Sequence, residues 1–501
     1  KAILSYDKNR FPCQLNEFQI EMLSIIGFYK DMFYGERTFK NGEDIRLTYC
    51  IHALNHIFKT RSRILNHNHL IAQHKNTTEE YRDQGLTRPK VLILVPFKEC
   101  ALRIVKLFIK LMFGDSKDES GKKANVMNMK RFMDEFGYHD EEPIYHKKPE
   151  DYEETFSGNI DDAFRIGIAI TKKSLKLYAE FYSCDILIAS PLGMRTIIGA
   201  EGDKERDFDF LSSIEIMILD QADVFLMQNW EHVLHIRKHL HLQPKQSHGI
   251  DFSRVRMWTL EGWGKYYCQT LLFSSIVVPQ LTSFFNKYSF NYEGQIITRN
   301  LTSSINAPIQ KVYIQCPQNF YRFKCDKIIN SPDDRFNYFT STILPKFTSC
   351  SMNHVLIYIP SYFDFVRLRN YFRQEELNFT QVCEYTEQGK VAKARSMFFH
   401  SGRHFMLFTE RFHFFHRYNI KGIRHLIFYE LPTFPHFYYE MINLMHPSMQ
   451  GKKFVGDESS MSCTVLYNKF DALQLVSVLG NERANAMLQS PTDFNMIVIE
   501  K

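Results

Sequence analysis

At 501 residues the chain exceeds the size at which one hydrophobic core keeps growing, so two domains are expected. Hydrophobic residues at 44% and charged residues at 24% exclude a disordered chain. The net charge of +6 permits an anionic partner without requiring one. Ten cysteines with no C-x-x-C pair exclude zinc ribbons and a disulfide framework, and point to a reducing compartment. No apolar run is long enough to span a bilayer and no signal peptide opens the chain, so no membrane partner is expected. The first residue is Lys1 rather than Met, and a preceding N-terminal segment is therefore expected.

In chain order, "KVLILVP" (Lys90–Pro96) reads as a buried strand followed by a helix-period run, "KECALRIVKLFIKLMF". "FRIGIAIT" (Phe164–Thr171) precedes "KKSLKLYAEFY" in the same rhythm, and Asp185–Pro191, Ile214–Asp220 and Gln269–Ser275 follow as strands. Continuous apolar strands between helices predict a parallel sheet covered on both faces. The stretch Gly114–Asp162, rich in Lys, Asp and Glu, reads as an inserted surface loop outside the sheets. Near residue 300 the rhythm restarts, with strands expected at Lys311–Pro317, His354–Pro360, His404–Glu410, Ile423–Pro432 and Ser462–Asn468. This predicts an α/β protein of two tandem lobes: 1–300, with an N-terminal helical segment and the charged insertion at about 114–162, and 301–501. Two successive β/α lobes imply a cleft between them.

Several short segments fall in a telling order. "VPFKECA" (Val95–Ala101) follows the first strong strand, "ASPLGMR" (Ala189–Arg195) ends a later one, and "ILDQAD" (Ile218–Asp223) and "LLFSS" (Leu271–Ser275) come next. In the second half, "LIYIPS" (Leu356–Ser361), "LFTE" (Leu407–Glu410) and "FYELP" (Phe428–Pro432) follow. Their order resembles the motif series of superfamily-two helicases, which implies two RecA-like lobes. The longer strings "GNIDDAFRIGIAI", "DILIASPLGMRTIIG", "DQADVFLMQNWEHVLH", "IYIPSYFDFVRLRNYF" and "LFTERFHFFHRYNIKGIRHLIFYELP" resemble the digestive organ expansion factor family over a span from "FQIEML" to the C-terminus. That resemblance implies a nuclear, nucleolar, helicase-like component of the small-subunit processome, acting in pre-ribosomal RNA processing. The partners it implies are pre-ribosomal or small nucleolar RNA and processome proteins, with no small-molecule substrate.

The residues themselves argue against catalysis. ATP hydrolysis on this fold requires a Gly-rich loop with a Lys to cradle phosphates beside Mg²⁺. No G-x-x-x-x-G-K-[ST] occurs, and in "NGEDIR" Gly42 is followed by Glu43 and Asp44, which repel phosphate. Gln221 stands where helicases carry the catalytic Glu, and an amide takes no proton near neutral pH. The region Pro432–Lys453, where an arginine finger belongs, contains no Arg. Asp220, Gln221 and Asp223 therefore read as a degenerate site with no metal, no cofactor and no bound nucleotide. Asp220 is expected to cap the following turn or helix, and Asp223 to hydrogen-bond toward Ser274 or Ser275.

Lys98, Ser190, Arg195 and Thr196 in the first lobe, and Ser361 and Thr409 in the second, match positions where helicases touch the RNA sugar-phosphate backbone. Cations and hydroxyls at strand ends suit such position-fixing contacts. Ordinary capping and surface charge are the competing reading of each residue, and the cleft equally suits a protein partner. An active ATP-dependent helicase and a purely protein-binding scaffold are the two rival functions. His232, His235 and His239 share one helix face without an H-E-x-x-H pattern, and read as a polar face rather than a zinc site. The aromatic-basic run Arg411–Glu440 could stack bases, with core packing the reading of most of its Phe residues.

Overall fold

Short, fully apolar strands dominate both halves of the protein, because parallel strands buried on two faces have no polar face to present. The computed structural model describes residues 15–73, 81–114, 125–137, 148–203, 205–298, 306–349, 352–450 and 460–499. The chain divides into two units, Lys1–Arg299 and Asn300–Lys501. Each is an α/β unit built on a largely parallel sheet, so the chain carries two RecA-like lobes.

In the first unit the strands are β1 (Asp31–Tyr34), β2 (Val91–Leu94), β3 (Val126–Met127), β4 (Arg165–Ile170), β5 (Leu175–Leu177), β6 (Ile186–Ala189), β7 (Ile216–Leu219), β8 (Gln269–Phe273) and β9 (Gln295–Ile297). They pair in the order β3-β5-β4-β6-β2-β7-β8-β1-β9. β2, β6, β7 and β8 are buried at every residue. The helices that position the site are α1 (Glu17–Gly27), α2 (Gly42–Gln73), α3 (Lys98–Phe113), α4 (Met129–Phe136), α5 (Glu150–Thr155), α6 (Pro191–Ile198), α7 (Ala222–Met227) and α8 (Trp230–Lys238). The α3 helix lays Cys100, Ala101, Ile104, Val105 and Phe108 on the sheet, the spacing expected of one apolar stripe.

Three expectations need correction in this unit. β4 runs antiparallel to both β5 and β6, and "KKSLKLYAEFY" supplies β5 and a 3₁₀ turn at Phe181–Ser183 in place of a helix. Its Ser174 carbonyl accepts from the Thr171 amide, closing a tight reversal that folds the chain back on β4. The Gly114–Asp162 segment is not wholly outside the sheet, since β3 pairs with β5 at its edge. Within it α4 buries Phe132 and Phe136, which stack at 4.5 Å and anchor the insertion. Residues 115–124 and 138–147, which carry much of its charge, lie outside the described residues. Third, β1 and β9, in stretches not read as strands, complete the sheet beyond β8.

The second unit orders β12 (Phe379–Val382), β13 (Phe405–Thr409), β11 (Val355–Ile359), β14 (His425–Phe428), β15 (Ser462–Tyr467), β10 (Gln318–Arg322) and β16 (Phe494–Ile497). All pairs are parallel except β10 with β16. The strand expected at Lys311–Pro317 lies instead at Gln318–Arg322. Val312, Ile314 and Cys316 are buried alternately, which mimics a strand, but the ladder begins where the Cys463 amide meets the Pro317 carbonyl. Most of the Phe and Tyr residues of Arg411–Glu440, including Phe412, Phe414, Phe428, Phe434 and Phe437, are buried in this unit's core.

Candidate functional site

The carboxyl ends of β1, β2, β7 and β8 meet along one edge of the first unit's sheet, the place where open α/β folds put ligands. β7 delivers Asp220 there, with no solvent exposure at all. Two residues past Gly35, after β1, the Arg37 amide bonds to the Ser274 carbonyl and its side chain turns inward. Arg37 Nε donates to Asp220 Oδ1 at 2.6 Å, and the Tyr49 hydroxyl donates to Oδ2 at 3.0 Å. Arg46 Nη2 stands 3.8 Å from the same oxygen. Asp220 thus does not cap the following turn. It is the anion of a buried ion pair, and each of its carboxylate oxygens accepts a hydrogen bond from the protein.

The opposite wall is the first turn of α2. A methyl group built on Gly42 would lie 3.0–3.3 Å from the Arg37 guanidinium, so the cation rests against this helix start. A helix N-terminus ordinarily offers its free amides and dipole to an anion. Here a buried cation occupies that ground. Glu43 turns outward to pair with Arg46 and with Arg103, and Arg103 also pairs with Glu99 and Glu154. Burial, reinforced by the Asp220 charge, lifts the Tyr49 phenol well above its ordinary range, so it serves as a donor throughout the physiological pH range.

Gln221 sits at φ +58°, a left-handed conformation seldom taken by a residue with a side chain, and starts α7 without a side-chain cap. Its Oε1 accepts from Cys100 Sγ at 3.0 Å. Asp223 takes the Ser275 hydroxyl at 2.8 Å and the Ser275 amide at 3.3 Å, as expected of a tie between β7 and β8. Burial raises the Asp223 carboxyl, against the opposing pull of Arg37 and Ser275. Arg37, Arg46 and Tyr49 are the residues that sequence reading missed. The usable signal was "YGERTFKNGEDIRLTY", where two arginines flank the stretch in which a phosphate loop belongs.

The six positions aligned with helicase RNA contacts fare unequally. Lys98, the first residue of α3, pairs with Asp161 at 2.7 Å. Ser190 is buried and caps α6 by accepting the Gly193 amide. Thr196 is exposed, its hydroxyl donating back to the Gly193 carbonyl. Arg195, half-buried on α6, has no carboxylate partner among the described residues and lines a pocket against α8. In the second unit Ser361 and Thr409 cap helices, accepting the amides of Asp364 and Phe412. Thr409 also donates to Glu384 at 3.0 Å. On α8, His235 Nε2 meets the Gly199 carbonyl at 3.1 Å, and His239 is held between the His235 carbonyl and Arg206.

The family model described as "UTP25, NTP hydrolase-like domain" matches residues 29–296, and "Utp25, C-terminal domain" matches 308–497. The U3 small nucleolar RNA-associated protein 25 homolog of Homo sapiens is 55% identical over 96% of this chain and 63% of its own length. That of Xenopus tropicalis is 54% identical over 99% of this chain and 63% of its own. The Schizosaccharomyces pombe protein of the same name is 41% identical, over 96% and 72%. The chain thus spans less than two thirds of its vertebrate relatives. Among solved structures, the yeast DEAD-box splicing factor Prp28 aligns with 92% of this chain and 77% of its own, at 16% identity and a TM-score of 0.30. By both halves of its length, the chain belongs to the UTP25 family.

Proposed function

We propose that this protein is a non-catalytic, helicase-shaped assembly factor of the nucleolar small-subunit processome, required for processing of pre-ribosomal RNA. It binds RNA backbone and processome proteins and hydrolyses no ATP. The first part is supported by relatives whose names associate them with U3 small nucleolar RNA. The second rests on one observation: Asp220, the position that holds Mg²⁺ in an active helicase, is buried and spent on Arg37 and Tyr49. To bind a metal, Asp220 would have to abandon a buried guanidinium, and an uncompensated buried charge is destabilising by about 3–5 kcal/mol. The segment before α2 lacks the G-x-x-x-x-G-K-[ST] pattern that cradles substrate phosphates, and the first turn of α2 already faces a cation.

A purely protein-binding role is the second reading. It is favoured by Lys98 being committed to Asp161, and by Ser190, Ser361 and Thr409 acting as helix caps. Titration of the full chain with a fluorescent ATP analogue and Mg²⁺ tests the first claim, with no binding expected up to millimolar ligand. Micromolar affinity, or phosphate release stimulated by RNA, would overturn it. Depletion from cells should accumulate precursors of small-subunit ribosomal RNA, and the tagged chain should co-sediment with U3 particles. Normal maturation on complete depletion would remove the processome reading.

A further inference from the structure

A group of exposed aromatic rings stands at the opposite end of the first unit's sheet from Asp220, where β7, β8 and β9 begin. The short helix α9 (Met257–Leu260) leads through Trp263 into a 3₁₀ turn at Gly264–Tyr266, and α10 (Pro279–Tyr288) leads into Phe290 and Tyr292. The backbone beneath the rings is fixed from inside. A methyl group built on Gly264 would fall 2.9 Å from the His241 ring, so this turn packs directly on His241. The buried Asp31 carboxylate accepts the amides of Thr270 and Asn291, and the Tyr292 amide donates to the Tyr266 carbonyl at 3.0 Å. Those bonds hold the two segments side by side.

Trp258 and Tyr267 stack at 4.4 Å with 18° between their planes, and Tyr292 follows at 5.2 Å from Tyr267. Arg256, itself paired with Glu215, lies 5.5 Å over Trp258 and closes this row with a cation. Beside it Tyr266 and Phe290, 6.5 Å apart, share the Lys265 ammonium at 4.9 and 5.7 Å. Trp263, Tyr266, Tyr267, Phe290 and Tyr292 are each 38–66% exposed. At roughly 150–250 Å² per side chain they present about 500 Å² of aromatic surface, a size at which a patch on a monomer is often functional. The indole N–H groups of Trp258 and Trp263 and the hydroxyls of Tyr266 and Tyr267 have no hydrogen-bond partner among the described residues.

We propose that this face docks a proline-rich segment of a partner protein, held in the polyproline II conformation. The inference rests on the protein-binding part of the function proposed above and gives it a partner class and a surface. Area decides against a second copy of the chain, because a stable dimer covers about 800 Å² on each partner, more than these rings offer. A short extended segment fits. Proline brings carbonyl acceptors and no amide donor, and a polyproline II chain makes no internal hydrogen bonds. The face supplies the complement: indole, phenol and ammonium donors set among flat rings on which pyrrolidine rings pack. An α-helix would leave those donors unanswered, since its own carbonyls are spent within it. The exposed Lys265 and Lys287 are balanced by the exposed Glu261 and Glu293, so the face does not select a phosphate backbone. The rings are already ordered by stacking, and little side-chain freedom is lost on docking.

The test is isothermal titration of the full chain with an oligoproline of about ten residues, roughly 30 Å long in polyproline II. A dissociation constant on the order of tens of micromolar is expected, little changed between low and high KCl. Trp263→Ala with Tyr292→Ala should weaken binding about tenfold or more, whereas Tyr292→Phe, which keeps the ring, should lose less. Phe363→Ala, which removes an 86% exposed ring of the second unit, should bind as the wild type does. Circular-dichroism melting checks that each variant is folded. No binding by the folded wild type at millimolar oligoproline overturns the proposal, as does binding that the double variant leaves unchanged. An oligouridylate bound in place of oligoproline, weakened by KCl and lost in the double variant, would make the face an RNA-stacking surface and overturns it too. Failure of the wild-type chain to co-sediment with U3 particles would remove the processome reading, whereas failure of oligoproline to bind removes this face alone.

Discussion

Replacing Asp220 by Asn removes one charge and almost no volume from a fully buried point of the first unit. Arg37 and Arg46, with side chains 9% and 2% exposed, would then lose their shared carboxylate, leaving Arg46 the exposed Glu43 and Arg37 only the longer-range pull of Asp223. Removing one partner of a buried pair is destabilising by about 3–5 kcal/mol. The Asn oxygen still accepts one hydrogen bond, worth about 1 kcal/mol, so a loss of about 2–4 kcal/mol is expected. The three tryptophans, Trp230, Trp258 and Trp263, all lie in the first unit, so urea unfolding followed by tryptophan fluorescence reports this lobe selectively. Arg37→Met should be destabilising for the mirror-image reason, since it leaves the carboxylate behind. The double variant should fall short of the sum of the two by at least about 1 kcal/mol, because one charge no longer waits for the other. An Asp220→Asn midpoint equal to wild type, or strict additivity with Arg37→Met, would refute the ion pair and reopen the site to nucleotide. In cells the same substitution reports on folding: a maturation defect of Asp220→Asn counts against the pseudoenzyme only if the lobe melts normally.

Gln221→Glu should create no ATPase activity in a phosphate-release assay, since neither a phosphate loop nor an arginine finger comes with it, and any turnover above background defeats the dead-site reading. In the second unit, burial raises Glu410 to about 8 although it accepts from Thr433 and from the Phe434 amide. A carboxyl whose folded pKa lies above its unfolded value stabilises fully below pH 4.5, and that stability drains away as pH rises through 8. Glu410→Gln should therefore raise the circular-dichroism melting temperature relative to wild type at pH 8.5 and change it little at pH 5, and the opposite ordering would show the carboxyl to be ionised in the fold. Phe132→Ala should open the insertion locally at a cost of about 3–5 kcal/mol, seen as faster hydrogen exchange over residues 125–137, and unchanged protection would return that segment to a surface loop.

The strands that form the centre of each sheet were legible because they are fully apolar, short and followed by helix-period runs. Asp223 was legible for a local reason: a Ser pair at the end of a neighbouring strand gives its carboxylate an obvious donor. Arg37 was not, because the strand that carries it inward is only four residues long and opens on Asp31. That aspartate is buried, accepting from the amides of Thr270 and Asn291. A charged residue at a strand start reads as a loop until its partners are known, and those partners lie some 240 and 260 positions away. The insertion misled for the opposite reason. Its charged flanks dominate the composition, while two phenylalanines four residues apart decide where α4 packs.

An aspartate at the end of β7 is therefore poor evidence of nucleotide chemistry in this chain. In an active helicase it is kept for Mg²⁺. Here Arg37 and Tyr49 hold it by a different constraint, one that single substitutions cannot release without stranding a buried charge. Gln221 is under no such constraint. It is neutral, its oxygen meets only a thiol, and a carboxylate in its place would sit beside Asp220 in a dry pocket with Arg37 already committed. A carboxylate at residue 221 is therefore disfavoured here on electrostatic grounds.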